Sequence, residues 1–466
     1  MRSRTGPIDR ATPADLAFLA MDRGGASHHV AVLIVLEPGR APDLAEVTRL
    51  VGQRVTGVPR LRQRLVRVPP GCGRPAWVDD AAFDVRRHVS RIDLRPPGDE
   101  RALLDAAVAL AGRPLPRDRP LWSLTLVQGL AGGNVALLVV LHHVVADGVG
   151  GLAVLADLCD AAGSVAAAPP RPRPSLAALA RDALAGKVDA ARDAPRAWRD
   201  LRAAMSAAGG VRPPAVQPCS LNRPTGPARR LVAVRCDLGA LRAAAHRRGG
   251  TVNDAVLAAV AGALHRLLRQ RGERVDDVVV AVPVAGRRST TAARLGNQVS
   301  PMLVTVPATG GAGRRIAAVA ADVRVRKALA TGPAPIALLG PAFRAAARLG
   351  GYRWYMNHQR RLHTLVSHVR GPTGPVRFAG ARVTGTVPIA LGDAGNITVA
   401  FEVLSYAGTL TICAVVDPDR FTDLDALTAA LTDELAEIAA DLGPNAPAGR
   451  DVGPDPPGGA RTTVEA

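Results

Sequence analysis

Aromatic residues and lysines are both scarce in this chain, and the shortage limits what it can bind. Aromatic residues make up only 3% of the 466 residues, so few rings are available to stack on nucleic-acid bases. The formal net charge is +19, yet Lys187 and Lys327 are the only lysines, and the arginines are spread along the whole chain. A nucleic-acid site normally concentrates its positive charge on one face. The composition therefore argues against nucleic acid and leaves anionic headgroups or acidic cofactors as partners for the charge.

Paired cysteines and long apolar runs are also missing. The five cysteines are odd in number, widely separated and without Cys-x-x-Cys spacing, which indicates neither a disulfide framework nor a zinc site. No apolar run reaches about 18 residues, the length that a membrane span needs. The N-terminus lacks the apolar core of a signal peptide. We therefore expect a cytoplasmic protein that contacts membranes only peripherally.

Two adjacent histidines follow a strand-like apolar run, residues 135–141, and begin the segment His142-His143-Val-Val-Ala-Asp147-Gly148. A neutral imidazole is the side chain best suited to accept a proton near neutral pH, and a carboxylate four residues later can hold the ring or its loop in place. The glycines after Asp147 predict a tight reversal into a helix over residues 152–160. This segment is the candidate site of chemistry.

Three other interpretations of this segment compete. The histidines could be ordinary polar residues at a strand end. His143 and Asp147 have helical i,i+4 spacing and could bind a metal, but no third-ligand pattern such as His-Glu-x-x-His is present, so no metal is predicted. Residues 148–153 also match the dinucleotide pattern Gly-x-Gly-x-x-Ala. The chain then runs into the proline-rich residues 166–174 instead of a second strand, which excludes a dinucleotide site.

The chain is long enough for two or three domains, and 48% of its residues are hydrophobic. Residues 1–160 form a first domain of mixed α and β pattern, and residues 231–443 resume that pattern. Residues 161–230 are rich in Pro, Ala and Arg and are interpreted as an interdomain crossover. Its helix is expected to pack on the protein itself, and the alternative is that its apolar positions lie over the domain seam or against a bilayer. Residues 444–466 are predicted to be a disordered tail.

The local patterns predict a regular series of elements. Thr12 caps the first helix, Thr251 or Asn253 caps a long later helix, and the strands near 124–127 and 135–141 form a hairpin. Helices are predicted over 12–22, 43–56, 100–111, 152–160, 238–247, 255–271 and 424–442, and strands over 29–36, 61–68, 76–79, 124–127, 135–141, 231–236, 278–282, 365–369, 381–387, 397–404 and 410–416. The segment between 283 and 364 gives no clear pattern.

Several motifs, in order along nearly the whole chain, resemble one family. Besides residues 142–148 they are Ala11-Thr-Pro-Ala-Asp-Leu-Ala-Phe-Leu19, Arg119-Pro-Leu-Trp122, Asn253-Asp-Ala-Val-Leu-Ala258, Leu295-Gly-Asn297, Ser367-x3-Gly371-Pro372, Gly380-Ala-Arg382 and Leu404-Ser-Tyr406. Together they resemble the bacterial wax ester synthase/acyl-CoA:diacylglycerol acyltransferases of the chloramphenicol acetyltransferase-like superfamily. The resemblance implies an α/β fold of two pseudo-symmetric domains, with the active site in a tunnel at their interface.

The resemblance also implies roles for individual residues. His143 would be the general base, His142 a supporting residue, and Asp147, before Gly148, a structural carboxylate paired with an arginine. Asn253 matches the position proposed to steady the oxyanion, although helix capping explains it equally well. Trp122 is interpreted as core packing.

In the resembling family an acyl group passes from acyl-CoA to diacylglycerol or a long-chain alcohol at a membrane or lipid-droplet surface, with acyl-CoA as donor and no cofactor. The chain has no Gly-x-Ser-x-Gly motif, which favours direct transfer without an acyl-enzyme. Ser123, His368 and Arg370 depart from the family pattern and leave the acceptor open. The alternatives are an acyltransferase acting on a specialised-metabolite hydroxyl or amine, and a non-catalytic homologue at a lipid surface.

Overall fold

The computed structural model describes residues 8–22, 28–39, 42–160, 170–207, 215–285, 295, 297, 299–329, 340–392 and 395–440. Its helices are α1 Pro13–Met21, α2 Leu44–Val55, α3 Glu100–Ala111, α4 Gly148–Leu158, α5 Leu176–Ala207, α6 Leu238–Arg247, α7 Val252–Gln270, α8 Ala312–Leu329, α9 Gly340–Arg348, α10 Gly351–His358 and α11 Leu424–Ala440. The predicted tail lies outside the described residues. No helix in the described ranges is long and apolar enough to cross a bilayer.

The strands form two six-stranded sheets and one small hairpin. They are β1 His29–Leu36, β2 Gln63–Val66, β3 Ala76–Asp79, β4 Val89–Asp93, β5 Trp122–Gln128, β6 Val135–His142, β7 Arg230–Asp237, β8 Asp277–Ala285, β9 Val299–Pro307, β10 Thr364–Arg370, β11 Arg377–Phe378, β12 Ala381–Leu391, β13 Val399–Tyr406 and β14 Thr409–Val416. The first sheet has the order β11-β12-β1-β6-β5-β4, and the second has the order β7-β14-β13-β10-β8-β9. The predicted α/β class is confirmed.

The second half of the chain contributes strands β11 and β12 to the first sheet. Strand β12 comes late in the sequence but pairs antiparallel with β1 in the first sheet, with His29 opposite Leu391. On its other side β1 pairs with β6, so that His29 is also opposite His142. The predicted division near residues 160 and 231 does not anticipate that β12 pairs with β1, because strand pairing between distant segments leaves no local pattern. The boundaries themselves stay a prediction.

The two sheets pack against each other through one apolar cluster. The cluster contains first-sheet residues such as Ala31, Leu138 and Ile389 together with Leu231 and Cys413 of the second sheet. Strand β6 is buried along its whole length. The sequence of a fully buried strand is a continuous apolar run. The prediction of β6 and of its hairpin with β5 was therefore correct.

Helix α4 begins four residues earlier than predicted. Asp147 is its N-cap, and one carboxylate oxygen accepts a hydrogen bond from the Gly150 backbone N–H at 2.8 Å. The glycines therefore lie inside the first turns of the helix and do not form a reversal before it. Their role is close packing, since a Cβ added at Gly148 would lie only 2.8 Å from Val369 Cγ2.

Two further expectations differ from the structure. The segment between residues 283 and 364, where no pattern was clear, contains β9, α8, α9 and α10. Helix α5 of the crossover was expected to pack on the protein, but residues 184–196 are all exposed. Its first turns are held by the buried Leu179 and Ala183 and by the ion pair of Asp182 with Arg10 at 2.5 Å. Residues 184–196 present apolar side chains such as Leu184 and Val188 to solvent.

Candidate active site

The two adjacent histidines at the end of β6 face different surroundings. His143 lines a cavity between the sheets, whereas His142 does not line it and is only 2% exposed. The backbone N–H of His143 donates to the His28 carbonyl oxygen at 2.8 Å, which extends the β1–β6 pairing to the point where the two rings diverge. Side chains of consecutive residues in an extended segment project to opposite sides. The histidine predicted to be the base is the one that reaches the cavity.

His142 is held by a buried carboxylate. Its Nδ1 accepts a hydrogen bond from the Val144 N–H at 3.0 Å, so its Nε2 carries the proton and donates to Asp22 at 3.2 Å. Asp22 also accepts from Arg117 at 2.7 Å and from the His28 N–H at 2.9 Å. Burial alone would raise the pKa of Asp22, but the hydrogen bonds from His142 and His28 hold it well below its usual range. His142 is thus held in a buried contact away from the cavity, and its supporting role stays a prediction.

His143 is held in one orientation and one tautomer by Asn297. The two rings of His143 and Phe18 stack with centroids 3.9 Å apart. Asn297 Nδ2 donates to Asp15 at 2.9 Å and to the His143 carbonyl oxygen at 2.8 Å, which leaves its Oδ1 as an acceptor. His143 Nδ1 lies 3.0 Å from that Oδ1 and must donate to it. The proton is therefore on Nδ1, and Nε2 keeps its lone pair.

Asp15 connects this arrangement to the start of α1. One of its carboxylate oxygens accepts from the Thr12 backbone N–H at 2.8 Å, and its own N–H donates to the Thr12 hydroxyl at 3.1 Å. The predicted N-cap role of Thr12 is confirmed, and Asp15 adds the reciprocal bond that makes a capping box. The other oxygen accepts from Asn297. The Asp15 carboxylate thus caps the N-terminus of α1 and also binds the Asn297 amide that orients His143.

The imidazole of His143 is neutral at pH 7. Burial lowers its pKa to about 4, and the hydrogen bonds with its own backbone and with Asn297 offset only part of that effect. A neutral imidazole with an unprotonated Nε2 is the form that can accept a proton. A charged imidazolium would be costly here because water cannot solvate it.

The cavity has a volume of about 340 Å³ and lies at the seam of the two sheets. It is lined by α1, α4, α10 and by strands from both sheets, and most of the lining is apolar. His28, His143, Arg229, Ser367, Glu402 and Asp417 are among its polar lining residues. A long apolar cavity with a few polar groups fits a lipid-like ligand.

The other residues predicted for the site have different positions. Gly148 lines the cavity, and Asp147 is 1% exposed behind it as the helix cap. Asn253 is the second residue of α7, is half-buried and is not among the residues that line the cavity. The cap of α7 is Thr251, in a capping box with Asp254. An oxyanion role for Asn253 and an arginine partner for Asp147 stay predictions.

Four residues of the site carried no assigned role in the sequence: Asp15, Asp22, His28 and Asn297. Asn297 lies in the motif Leu295-Gly-Asn297, which could have indicated it, but its partner His143 is 154 residues away. Within the described ranges no group of three or more His, Cys, Asp or Glu side chains could hold a metal ion. The expected core role of Trp122 agrees with its burial and with its hydrogen bond to the Leu61 carbonyl oxygen at 2.8 Å.

The residues that depart from the family pattern, Ser123, His368 and Arg370, do not line the cavity. Ser367 of β10 lines the cavity, whereas the next residue, His368, does not. Burial, followed by the nearby charge of Arg370, lowers the pKa of His368 to about 4. Ser123 is half-buried in β5 of the first sheet. Arg370, the last residue of β10, does not line the cavity either.

Comparisons with known proteins agree with this geometry. Residues 12–256 match the family described as wax ester synthase/diacylglycerol acyltransferase catalytic domain, and residues 295–439 match the WS/DGAT C-terminal domain. The Mycobacterium tuberculosis (strain H37Rv) protein named "Probable diacyglycerol O-acyltransferase tgs1" is 31% identical over 463 residues, which cover 93% of this chain and 96% of that protein.

Two solved structures share the fold. The wax ester synthase/diacylglycerol acyltransferase from Marinobacter aquaeolei VT8 matches with a TM-score of 0.65 and 23% identity, covering 93% of this chain and 99% of that one. The starter condensation domain of rhizomide synthetase, in complex with C8-CoA and Leu-SNAC, matches with a TM-score of 0.61 and 17% identity, covering 93% and 94%. Both show the two-domain architecture expected from the resemblance.

Replacing Asn297 tests whether its amide orients the base. In Asn297→Ala the Nδ1–H of His143 loses its acceptor, so the ring can rotate or change tautomer, and we expect kcat for acyl transfer to fall by about 10²-fold or more. KM should change little, because Asn297 does not line the cavity. Asn134→Ala, at a half-buried asparagine that does not line the cavity, is the matched control. Steady-state kinetics in which Asn297→Ala keeps wild-type kcat would show that the amide is not needed.

Proposed function

The chain belongs to the wax ester synthase/diacylglycerol acyltransferase family, and from this premise we propose that it transfers the acyl group of an acyl-CoA to a lipid hydroxyl. The acceptor is diacylglycerol or a long-chain alcohol, and the product is a triacylglycerol or a wax ester. Coenzyme A leaves as the free thiol. The observation that carries the proposal is the neutral His143, whose Nε2 is available at an apolar cavity.

The proposed reaction is a direct transfer. His143 Nε2 removes the proton of the acceptor hydroxyl, and the oxygen attacks the thioester carbonyl carbon. The tetrahedral intermediate collapses as the carbon–sulfur bond breaks, and the leaving thiolate takes the proton from Nε2. The low pKa of His143 suits this last step, since a buried imidazolium readily gives up its proton.

Asp15 and Asn297 support the transient positive charge. The Nδ1–H of His143 donates to a neutral amide oxygen, and the amide in turn donates to the Asp15 carboxylate. The negative charge is therefore near the imidazolium but not in contact with it. A directly bound carboxylate would raise the pKa of the ring, whereas the amide fixes the tautomer and leaves the base neutral at pH 7.

Substituting His143 tests the proposed reaction. We expect His143→Ala to lower thiol release from palmitoyl-CoA in the presence of diacylglycerol by about 10²- to 10⁴-fold, the usual contribution of a positioned general base. The exposed His246→Ala is the control. The assay is repeated with diacylglycerol, hexadecanol and small hydroxyl or amine acceptors. Extraction and identification of the product then show which acceptor class is used.

Three outcomes of that experiment would oppose the proposal. Full activity in His143→Ala would show that His143 is not the general base. Turnover with small polar acceptors alone would move the chain to the specialised-metabolite class. An absence of thiol release from acyl-CoA with every acceptor would support the non-catalytic alternative.

A water-insoluble acceptor must enter from a lipid surface, and we place that contact at the hairpin of α9 and α10. Leu349, between the two helices, is 89% exposed, and Trp354 and Tyr355 of α10 are 65% and 42% exposed. Two other residues of α10, Tyr352 and Met356, line the cavity. One short helix therefore carries exposed aromatic side chains on one side and forms part of the cavity wall on the other.

The charge of this region fits an anionic phospholipid surface. The sequence from residue 323 to residue 392 contains no Asp or Glu, whereas α9 and α10 contribute Arg344, Arg348 and Arg353. Each basic residue close to an anionic membrane contributes about 1 kcal/mol of attraction. Tyrosine and tryptophan suit the boundary between headgroups and acyl chains, because one end of each ring system is polar.

Vesicle sedimentation tests this surface. We expect the double variant Leu349→Ser, Trp354→Ser to bind phosphatidylglycerol/phosphatidylcholine vesicles about tenfold or more weakly than the wild type, because large apolar side chains no longer enter the bilayer. Trp198→Ser, which removes the exposed tryptophan of α5, should bind normally. Loss of binding in Trp198→Ser alone would instead assign the contact to α5. Equal binding to vesicles of pure phosphatidylcholine would contradict the role of charge.

A further inference from the structure

Glu402 is an acidic residue on the wall of an otherwise largely apolar part of the cavity. It lies near the middle of β13, where Ala400 and Leu404 on the same face also line the cavity. On the adjacent strand β10, Leu365 and Val369 line it as well. The proposed transfer gives Glu402 no role, and hydrocarbon chains need no carboxyl group to bind them.

The strand register places Glu402 close to the proposed base. Ser367 of β10 is directly paired with Glu402, and Val369 lies two residues further along the same face. Val369 contacts the start of α4 at Gly148. With about 3.3 Å per residue along a strand and about 4.8 Å between strands, Glu402 lies about 10 Å from the loop that carries His143. The side chains of His143 and Glu402 both line the cavity and span part of this distance, so the ester groups of an acceptor whose hydroxyl is at His143 have only the remainder to cover.

The surroundings of Glu402 keep its carboxyl group neutral. Burial raises its pKa to about 8, and the hydroxyl of Ser367 offsets only part of that effect. On the other neighbouring strand the paired residue is Cys413, a fully buried thiol whose pKa is itself raised by burial. A protonated carboxyl can donate one hydrogen bond and accept others, unlike a carboxylate. With Ser367 as its partner, it retains capacity for a ligand oxygen.

We propose that Glu402 and Ser367 form a polar subsite that binds an oxygen atom of the acyl acceptor and thereby selects glycerol esters over simple long-chain alcohols. The inference rests on the proposed function. A diacylglycerol has ester carbonyl oxygens a few bonds from its free hydroxyl, whereas a long-chain alcohol has only methylene groups there. The acyl chain of the donor likewise has only methylene groups beyond its thioester. The pantetheine arm of acyl-CoA also carries amide oxygens, but the same donor serves both acceptors, so only a contact with the acceptor can change the preference between them.

The test compares two acceptors in three variants. The measured quantity is the ratio of kcat/KM for diacylglycerol to kcat/KM for hexadecanol, with palmitoyl-CoA as donor. Glu402→Leu should lower this ratio by about tenfold or more, because a hydrogen bond to the bound ester is lost. Glu402→Gln should keep the ratio within about threefold, since an amide also donates and accepts. Ser367→Ala should lower it by a smaller factor.

Leu365→Val is the matched control, because it alters an apolar part of the same wall and should leave the ratio near its wild-type value. An unchanged ratio in Glu402→Leu would overturn the subsite. If that variant does not fold, as judged by circular dichroism and melting temperature, an unchanged ratio in Ser367→Ala has the same meaning. A wild-type protein that releases no thiol with either acceptor contradicts the proposed function itself, and this result is distinct from both.

Discussion

The side-chain amide of Asn297 joins three parts of the chain that are distant in sequence. It donates to Asp15 at the start of α1 and to the backbone of His143 after β6, and it accepts the Nδ1–H of the same histidine. Each of these bonds fixes the direction of the others, because the amide has one acceptor and two donor hydrogens. The available lone pair on His143 Nε2, and with it the proposed chemistry, depends on this one group.

Burial controls the charge state of the cavity. His143 has its pKa lowered and Glu402 has its pKa raised, so both are neutral at pH 7 where they face a space suited to lipids. The ionised Asp22 does not line the cavity, and it accepts hydrogen bonds from His142 and Arg117. Strand β12 pairs with β1 and contributes residues 388–391 to the cavity wall, which joins the two halves of the chain at the cavity.

Local features of the structure could be predicted from the sequence, and distant contacts could not. The capping box at Thr12, the β5–β6 hairpin and the exposure of His143 to the site follow from short-range patterns. The N-cap role of Asp147 was also readable, since Asp before a glycine-rich helix start is a common cap. Three contacts join segments more than 100 residues apart: the pairing of β12 with β1, the Asp22 contact with His142 and the Asn297 bridge. The prediction that α5 packs on the protein was wrong for residues 184–196, because an amphipathic pattern does not identify what covers the apolar face of a helix.

The tautomer of His143 can be measured directly by ¹⁵N NMR of protein labelled at histidine, with the His143→Ala spectrum identifying its signals among the ten histidines. The Asn297 bridge predicts a protonated, pyrrole-type Nδ1 and an unprotonated, pyridine-type Nε2 at pH 7. This pattern should persist to pH 5, because the pKa of His143 is about 4 and the ring becomes charged only as the pH falls through that value. A proton on Nε2 at pH 7, or an imidazolium signal at that pH, would contradict the proposed base.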